Sequence, residues 1–293
     1  MPAQSVYTII NQQNGNLAFK VFEFDSNSSF DHIQRNNYFT LILIVRGTGK
    51  AKVDFSSYDF GADTLFAFYP YQPFMLAAKT NIEGFAIHFH PDFFCIHRHH
   101  KEIACNGTLF NNIYDRPFVL LGEGAKKTIR SLIDQIIGEM KADDIQQDEV
   151  IISYLKVLLI TATRIKLEQQ AIGSNAEIQS KQLFTLQSLK DAIEENFKSK
   201  HSAGEYATLL NLSSGALARI TKTHLNKTIS DLISERIMIE AKRELYLTNK
   251  TIKEIAYGLG YEDEYYFSRF FKANADVSPQ LYRDTVGFAR GTN

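Results

Sequence analysis

Thr251-Ile-Lys-Glu-Ile-Ala-Tyr-Gly-Leu-Gly-Tyr-Glu-Asp-Glu-Tyr-Tyr-Phe-Ser-Arg-Phe-Phe-Lys272 is the stretch on which the fold turns. Its second half, Asp263-x3-Phe267-x-Arg269-x2-Lys272, repeats an earlier pattern at an offset of 50 residues, Ser213-x3-Leu217-x-Arg219-x2-Lys222. Each copy opens on a residue suited to cap a helix, because a short side-chain oxygen can accept from backbone N–H groups that have no partner in the first turn. Each then places an apolar anchor at the fifth position and leaves an Arg and a Lys three residues apart, hence on one helix face. Short apolar helices precede both, at Tyr206-Ala207-x2-Leu210 and Ile255-Ala256-x2-Leu259. Helix, tight turn, second helix with exposed Arg is the layout of a helix-turn-helix.

Working outward, the anchors Leu217 and Ile220 in one copy and Phe267, Phe270 and Phe271 in the other pin the second helix to its scaffold. The residues left facing outward are Gly215, Ala218 and Arg219 in the first copy, and Glu264, Tyr265, Ser268 and Arg269 in the second. Arg is suited to bidentate recognition of guanine, while Lys222 and Lys272, one turn further along, are placed for phosphate. A helix over about Ile229 to Leu247 repeats apolar residues and joins the two units. Asn226 and Asp276 stand at the ends of the reading helices, where left-handed backbone is expected and both residue types tolerate it.

The stretch 251–272, continued by Val277-Ser-Pro-Gln-Leu-Tyr-Arg283, resembles the signature of the AraC/XylS family of transcription regulators. The earlier half fits through Ala207, Leu212, Ser213, Leu217, Arg219, Lys222, Arg236, Ala241 and Leu245, so the resemblance covers roughly 185–284. It implies a regulator whose Gly215, Ala218, Arg219, Lys222, Glu264, Tyr265, Ser268, Arg269 and Lys272 contact double-stranded promoter DNA. A homodimer, a small-molecule effector and RNA polymerase are the further partners such a regulator implies. Thr221 departs from the pattern, standing where that family usually has Phe.

The first ~120 residues read as β. Leu17–Phe24 alternates, Tyr38–Val45 is a continuous β-branched and aromatic run, Arg46-Gly-Thr-Gly49 supplies a turn, and further strands are expected over 51–55, 64–69, 74–77 and 84–90. Short strands at close spacing predict an antiparallel sandwich or small barrel. With Arg46-Gly47 and Phe89-His-Pro-Asp-Phe93, this region looks like the cupin-type sensory half common in the family. An interior filled by its own Phe66, Phe68 and Phe85 would point to a module that senses protein partners instead of a small effector.

From Gly122 the period becomes helical. Ile129, Leu132, Ile133, Ile136, Ile137 and Met140 form one face, and a second helix from about Asp148 to Glu168 carries apolar residues too widely for a single face. Such a helix is buried on two sides, against a second subunit or between two faces of one core. The expected architecture is therefore an N-terminal antiparallel β-barrel with dimerisation helices, then an all-α double helix-turn-helix domain. Its divisions are a cupin-like sensory domain over 1–121, a helical dimerisation segment over 122–168, a polar linker over 169–184 and a DNA-binding domain over 185–293.

Composition narrows the alternatives. Net charge is −1, but residues 181–293 hold 16 Lys+Arg against 14 Asp+Glu while residues 1–180 hold 16 against 19, so the sign of the bias suits DNA at the carboxyl end. Screening over ~8–10 Å makes local clusters matter more than totals. No apolar run approaches the ~20 residues that span a bilayer, and the start lacks a secretory layout, so a cytoplasmic protein is expected. Cys95 and Cys105 make neither a disulfide framework nor a four-ligand zinc site. His88 and His90 alternate on one strand near His97, His99 and His100, but Pro91-Asp-Phe-Phe-Cys follows where a cupin metal site would add Glu. No cofactor or metal is expected, and a metal-dependent cupin enzyme is the alternative reading. Nothing resembling a Ser/His/Asp or Cys/His arrangement or a phosphate loop supports an enzyme.

Overall fold

In the computed structural model, which describes residues 5–12, 15–25, 29–96, 99, 108–142, 145–175 and 181–286, the alternating run Leu17–Phe24 is a strand at the boundaries the sequence predicts. It belongs to a series in chain order: β1 Val6–Ile10, β2 Leu17–Phe24, β3 Phe39–Arg46, β4 Gly49–Val53, β5 Ser56–Phe60, β6 Thr64–Phe68, β7 Phe74–Ala78, β8 Glu83–Phe89 and β9 Phe118–Leu120. These build a six-stranded sheet in the order β1-β2-β8-β3-β6-β9 and a three-stranded sheet in the order β5-β4-β7, antiparallel throughout. The two sheets face each other as a cupin-like jelly roll, and do not close into one barrel.

Register decides which residues look inward. Leu41 pairs with Ile87, and Ile42 pairs with Ala86 and Phe66. Successive side chains point to opposite faces of a strand, so Phe19, Leu41, Leu43, Phe85 and Ile87 share one face. Ile42, Ile44, Phe66, Phe68 and Ala86 share the other and meet Ala51, Val53, Phe74 and Leu76 of the small sheet. The continuous apolar run in β3 is thereby buried on both faces. The space between the sheets is filled with stacked rings: Phe68 on Phe74 at 3.9 Å between centroids and on Phe66 at 5.6 Å. Of the three rings that a self-filled interior would use, Phe66 and Phe68 lie there, whereas Phe85 is on the opposite face, under the Arg130 guanidinium at 4.0 Å. At the turn before β4, Gly47 has φ 95, and a Cβ there would run into the Asn81 carbonyl.

The outer face of the large sheet is covered by α1 (Glu123–Ala142) and α2 (Gln147–Asn175). Ile129, Leu132, Ile133 and Ile136 are buried as the period predicts. Helix α2 buries Ile151, Leu155, Leu158, Leu159 and Ala162 on one side, but Val157 and Leu167 are each 48% exposed, so its second apolar side is only partly covered within the chain. It also runs to Asn175, through residues expected to be linker, and the next helix starts at Lys181.

The remaining elements are helices: α3 Lys181–Asn196, α4 Ala203–Leu209, α5 Ser214–Leu225, α6 Ile229–Leu247, α7 Ile252–Gly258, α8 Glu264–Ala275 and α9 Pro279–Val286. The chain divides into two compact units. One comprises residues up to Asn112 with Arg116–Gly173, and the other comprises Ile113–Asp115 with the residues from Ser174 onward. Among the described residues, no helix is long and apolar enough to cross a membrane.

Candidate nucleic-acid interface

The first helix-turn-helix begins with a capping box. The Ser202 hydroxyl accepts from the Glu205 N–H, and the Glu205 carboxylate accepts from the Ser202 N–H at 3.0 Å. The bonds from Ser202, side chain first, hold that carboxyl below the usual range. A turn over 210–212, with Asn211 left-handed at φ 53, leads to Ser213. Its side chain accepts from Ala216 N at 3.2 Å and so fixes the start of α5. Leu217 and Thr221 are fully buried, and the Thr221 hydroxyl donates to the Ala218 carbonyl at 3.1 Å. Gly215, Ala218, Arg219 and Lys222 are exposed. The helix stops at Asn226 with φ 56 and ψ 26, the left-handed ending expected there.

The second copy repeats this plan with one residue more in its turn, over 259–262. Thr251 and Glu254 form the capping box, with the Thr251 N–H donating to Glu254 at 2.7 Å. Gly260 has φ 83, and any Cβ there would collide with the Lys198 carbonyl, so this position admits glycine alone. Asp263 caps α8 twice, accepting from Tyr265 N and Tyr266 N, each at 3.0 Å. Phe267 and Phe271 are fully buried, and Tyr261 packs against Phe267 at 5.3 Å and Phe270 at 5.5 Å. Burial, and then the neighbouring Tyr266, push the Tyr261 hydroxyl well above its ordinary pKa. Tyr265 (75% exposed), Arg269 and Lys272 point outward, while Glu264 and Ser268 are half-buried. The helix ends at Asp276 with φ 64 and ψ 4.

Helix α6 carries both copies. Its buried set includes Leu232, Ile233, Ile237, Ala241 and Leu245, the residues whose spacing predicted it. Two further arginines are consumed internally. Arg236 donates from Nε to Glu194 at 2.7 Å and lies 3.9 Å over the Phe197 ring, and Arg283 donates to the carbonyls of Leu245 (3.1 Å) and Lys250 (2.6 Å). The outward arginines of α5 and α8 are thus distinguished from the structural ones by burial. Tyr266, 59% exposed beside Arg269, shares the outer side of α8 and was not expected from the sequence. The signal available was its twin position next to Tyr265, which a five-residue anchor pattern does not register.

In the β unit His88 is buried and bonded to Thr40 Oγ1 at 3.1 Å, beneath Tyr38. Burial first, then the charge of Lys20, push its pKa down to about 3, so the ring is neutral at pH 7. His90 is also buried and meets Asp92 at 3.4 Å. His99 stacks on Phe94, and His97, His100 and Cys105 lie outside the described residues. Among the described residues no three His, Cys, Asp or Glu side chains gather as metal ligands.

Residues 206–285 match the helix-turn-helix domain family, and residues 21–155 match the AraC-like ligand binding domain. The raffinose operon transcriptional regulatory protein RafR of Pediococcus pentosaceus is 30% identical over 117 residues, 40% of this chain. That match takes in 42% of RafR, less than half the length of that relative. The regulatory protein SoxS of Salmonella typhimurium (strain LT2) is 31% identical over 98 residues, 33% of this chain and 92% of SoxS. Among solved structures, the C-terminal domain of AraT, a response regulator from Geobacillus stearothermophilus, is 30% identical with a TM-score of 0.36, covering 39% of this chain and 95% of that one. With a ligand-binding domain of the AraC type ahead of two capped helix-turn-helix units, the chain belongs to the AraC family of transcriptional regulators.

Proposed function

We propose that the chain is a sequence-specific DNA-binding regulator whose α5 and α8 enter two adjacent major-groove segments of promoter DNA. The observation that carries this reading is the recurrence of one capped helix with a buried anchor and an exposed Arg-x2-Lys face, 50 residues apart in one compact unit. Arg219 and Arg269 are the base readers, each worth ~1–3 kcal/mol of discrimination where it pairs bidentately with guanine. Lys222 and Lys272 contact phosphate, and Gly215, Ala218, Glu264, Tyr265 and Ser268 complete the two reading faces. Glu264 is suited to accept from cytosine N4.

The β unit, 1–121, is the sensory half, a reading supported by the match of residues 21–155 to the AraC-like ligand binding domain; rings fill the space between its sheets, so a small-molecule effector would bind elsewhere on the unit. The second side of α2, where Tyr154 and Ile160 are half-buried and Val157 is 48% exposed, is the surface for a homodimer within the segment 122–168. The reader domain spans 185–293. The protein acts in the cytoplasm on promoter DNA, with RNA polymerase as a further partner, and performs no catalysis of its own.

The test is a titration at fixed salt against duplexes selected by the full chain from a randomised pool. Arg269→Ala and Arg219→Ala are each expected to weaken binding to the selected duplex and not to the unselected pool, with the circular dichroism of the chain unchanged. If neither substitution alters selective binding, these arginines are not the readers.

A further inference from the structure

Ile113, Tyr114 and Asp115 lie in the chain leading into β9, yet they pack as part of the helical unit. Each is engaged there differently. The Ile113 carbonyl accepts from Lys227 Nζ at 2.9 Å. Lys227 lies in the turn between α5 and α6, is 6% exposed, and donates also to the buried Glu235 carboxylate at 2.7 Å. The Tyr114 hydroxyl donates to Glu194 Oε1 at 3.0 Å, and its ring lies 5.5 Å from the Lys190 ammonium. Glu194 uses its other oxygen to accept from Arg236 on α6. Burial pushes the Lys190 pKa down, and the charge of Asp115 opposes that shift.

The partners fall in two places, α3 and the turn that ends the first reading helix. The same stretch of chain is gripped again just beyond: within the β unit the fully buried Lys166 of α2 donates to the carbonyls of Arg116 (2.6 Å) and Phe118 (3.0 Å). A buried ammonium is costly unless its donors are satisfied. The chain places one at each end of Ile113–Phe118, and both are satisfied in part by backbone carbonyls of that stretch.

We propose that the helical unit contains a binding site for a short chain segment, formed by Lys190, Glu194, Lys227 and Glu235, and that its occupant is Ile113–Asp115. Docking of this strap holds the amino-terminal reading helix α5 in its working position, and withdrawal of the strap loosens α5 while leaving α8 as it was. The strap does not mask the reader, because Gly215, Ala218, Arg219 and Lys222 are exposed with the strap in place. It acts as a brace on the first reading helix. The inference rests on α5 being a DNA reader as far as its effect on binding is concerned, and on the contacts alone for its effect on α5.

The test uses the full chain with Tyr114→Ala/Asp115→Ala, two half-buried positions that leave the Lys227–Glu235 pair intact, and Tyr114→Phe as the milder variant should the double one not fold. Hydrogen exchange without DNA is expected to rise about tenfold or more in residues 113–115 and in α5, with α8 unchanged. Affinity for the duplex selected by the wild-type chain is expected to fall about tenfold, within the ordinary 5–150-fold range of couplings between sites. That loss should be confined to base pairs read by α5, as shown by substituting each half of the duplex. Faster exchange at 113–115 with α5 unchanged would overturn the proposal, as would equal loosening of α5 and α8. If the wild-type chain selects no duplex sequence, the DNA-reading function fails while the exchange experiment still decides the strap.

Discussion

Helices α5 and α8 are built on one plan and filled differently. At positions 50 residues apart, Leu217 answers to Phe267, Thr221 to Phe271, Gly215 to Tyr265 and Ala216 to Tyr266, with the first two pairs fully buried. The carboxyl copy therefore holds its helix by aromatic packing, with Phe271 against Phe267 at 6.1 Å and against Tyr282 at 5.6 Å, and offers two exposed tyrosines beside its arginine. The amino copy buries less side-chain volume and presents a nearly bare face around Arg219. It also has the buried Lys227–Glu235 pair at its exit, with Lys227 donating to the Ile113 carbonyl. The copy with the smaller internal anchor carries the external one. Helix positioning can thus be supplied by core volume or by polar bracing, and only the second can be altered from elsewhere in the chain.

The comparison breaks most visibly at its anchors. Phe271→Ala should cost ~3–5 kcal/mol, the usual range for emptying a buried Phe site, whereas Thr221→Ala loses only one side-chain bond to a carbonyl and should cost ~1 kcal/mol. Urea unfolding of each variant, with hydrogen exchange assigning the loss to α8 or α5, measures both. Equal losses would mean that the aromatic core is not what holds α8.

Next in size is the contribution of each face to DNA. Arg269→Ala should remove ~1–3 kcal/mol of binding and relax base preference at its own position. Arg219→Ala should remove less, about 1 kcal/mol or below, because small neighbours leave it few helpers. Lys222→Ala should weaken all sequences alike and reduce the slope of log affinity against log salt by about 1. Titrations at several salt concentrations read all three, and a larger loss of preference at Arg219 than at Arg269 would reverse the assignment of roles.

These contrasts were legible in the sequence where the physics is local. Ser213 and Asp263 cap helices because their oxygens reach N–H groups two or three residues away, and Asn226 and Asp276 turn left-handed for equally short-range reasons. Leu17–Phe24 shows its strand by alternation within itself. What escaped depends on distant partners. Phe85, Ala86 and Ile87 are consecutive apolar residues, so only pairing with β2 and β3 settles which of them faces the small sheet. Strand β9 has three residues, and β5, Ser-Ser-Tyr-Asp-Phe, is too polar to stand out. Helix α2 continues through Gly173 to Asn175 where polarity suggested a linker. Tyr114 meets Glu194 from 80 residues away, and nothing near either one announces the other.

The caps offer a finer cut. Asp263 satisfies two N–H groups at 3.0 Å with a charged acceptor near the positive end of its helix, while Ser213 satisfies one at 3.2 Å with a neutral hydroxyl. Asp263→Ala should therefore cost ~1–2 kcal/mol and Ser213→Ala ~0.5–1 kcal/mol, measured by urea midpoints at constant slope. A reversed order would mean that α5 depends on its cap more than on its braces.

The smallest difference lies at the other end of each helix, where the two copies agree in backbone and disagree in charge. Asn226 and Asp276 both sit at φ near 60, a conformation that each accepts, so strain does not separate them. Asp276, however, sets a negative charge against the negative end of the α8 dipole, which costs ~0.3–1 kcal/mol at low ionic strength. Asp276→Asn should therefore stabilise the chain by that amount and Asn226→Asp should destabilise it equally, with both effects fading toward ~1 M salt as the Debye length shrinks to ~3 Å. Lys272 stands one turn before Asp276, and its carbonyl accepts the Asp276 N–H at 2.7 Å. A loss of stability in Asp276→Asn would show that the contacts of the Asp276 carboxylate outweigh its repulsion by the dipole.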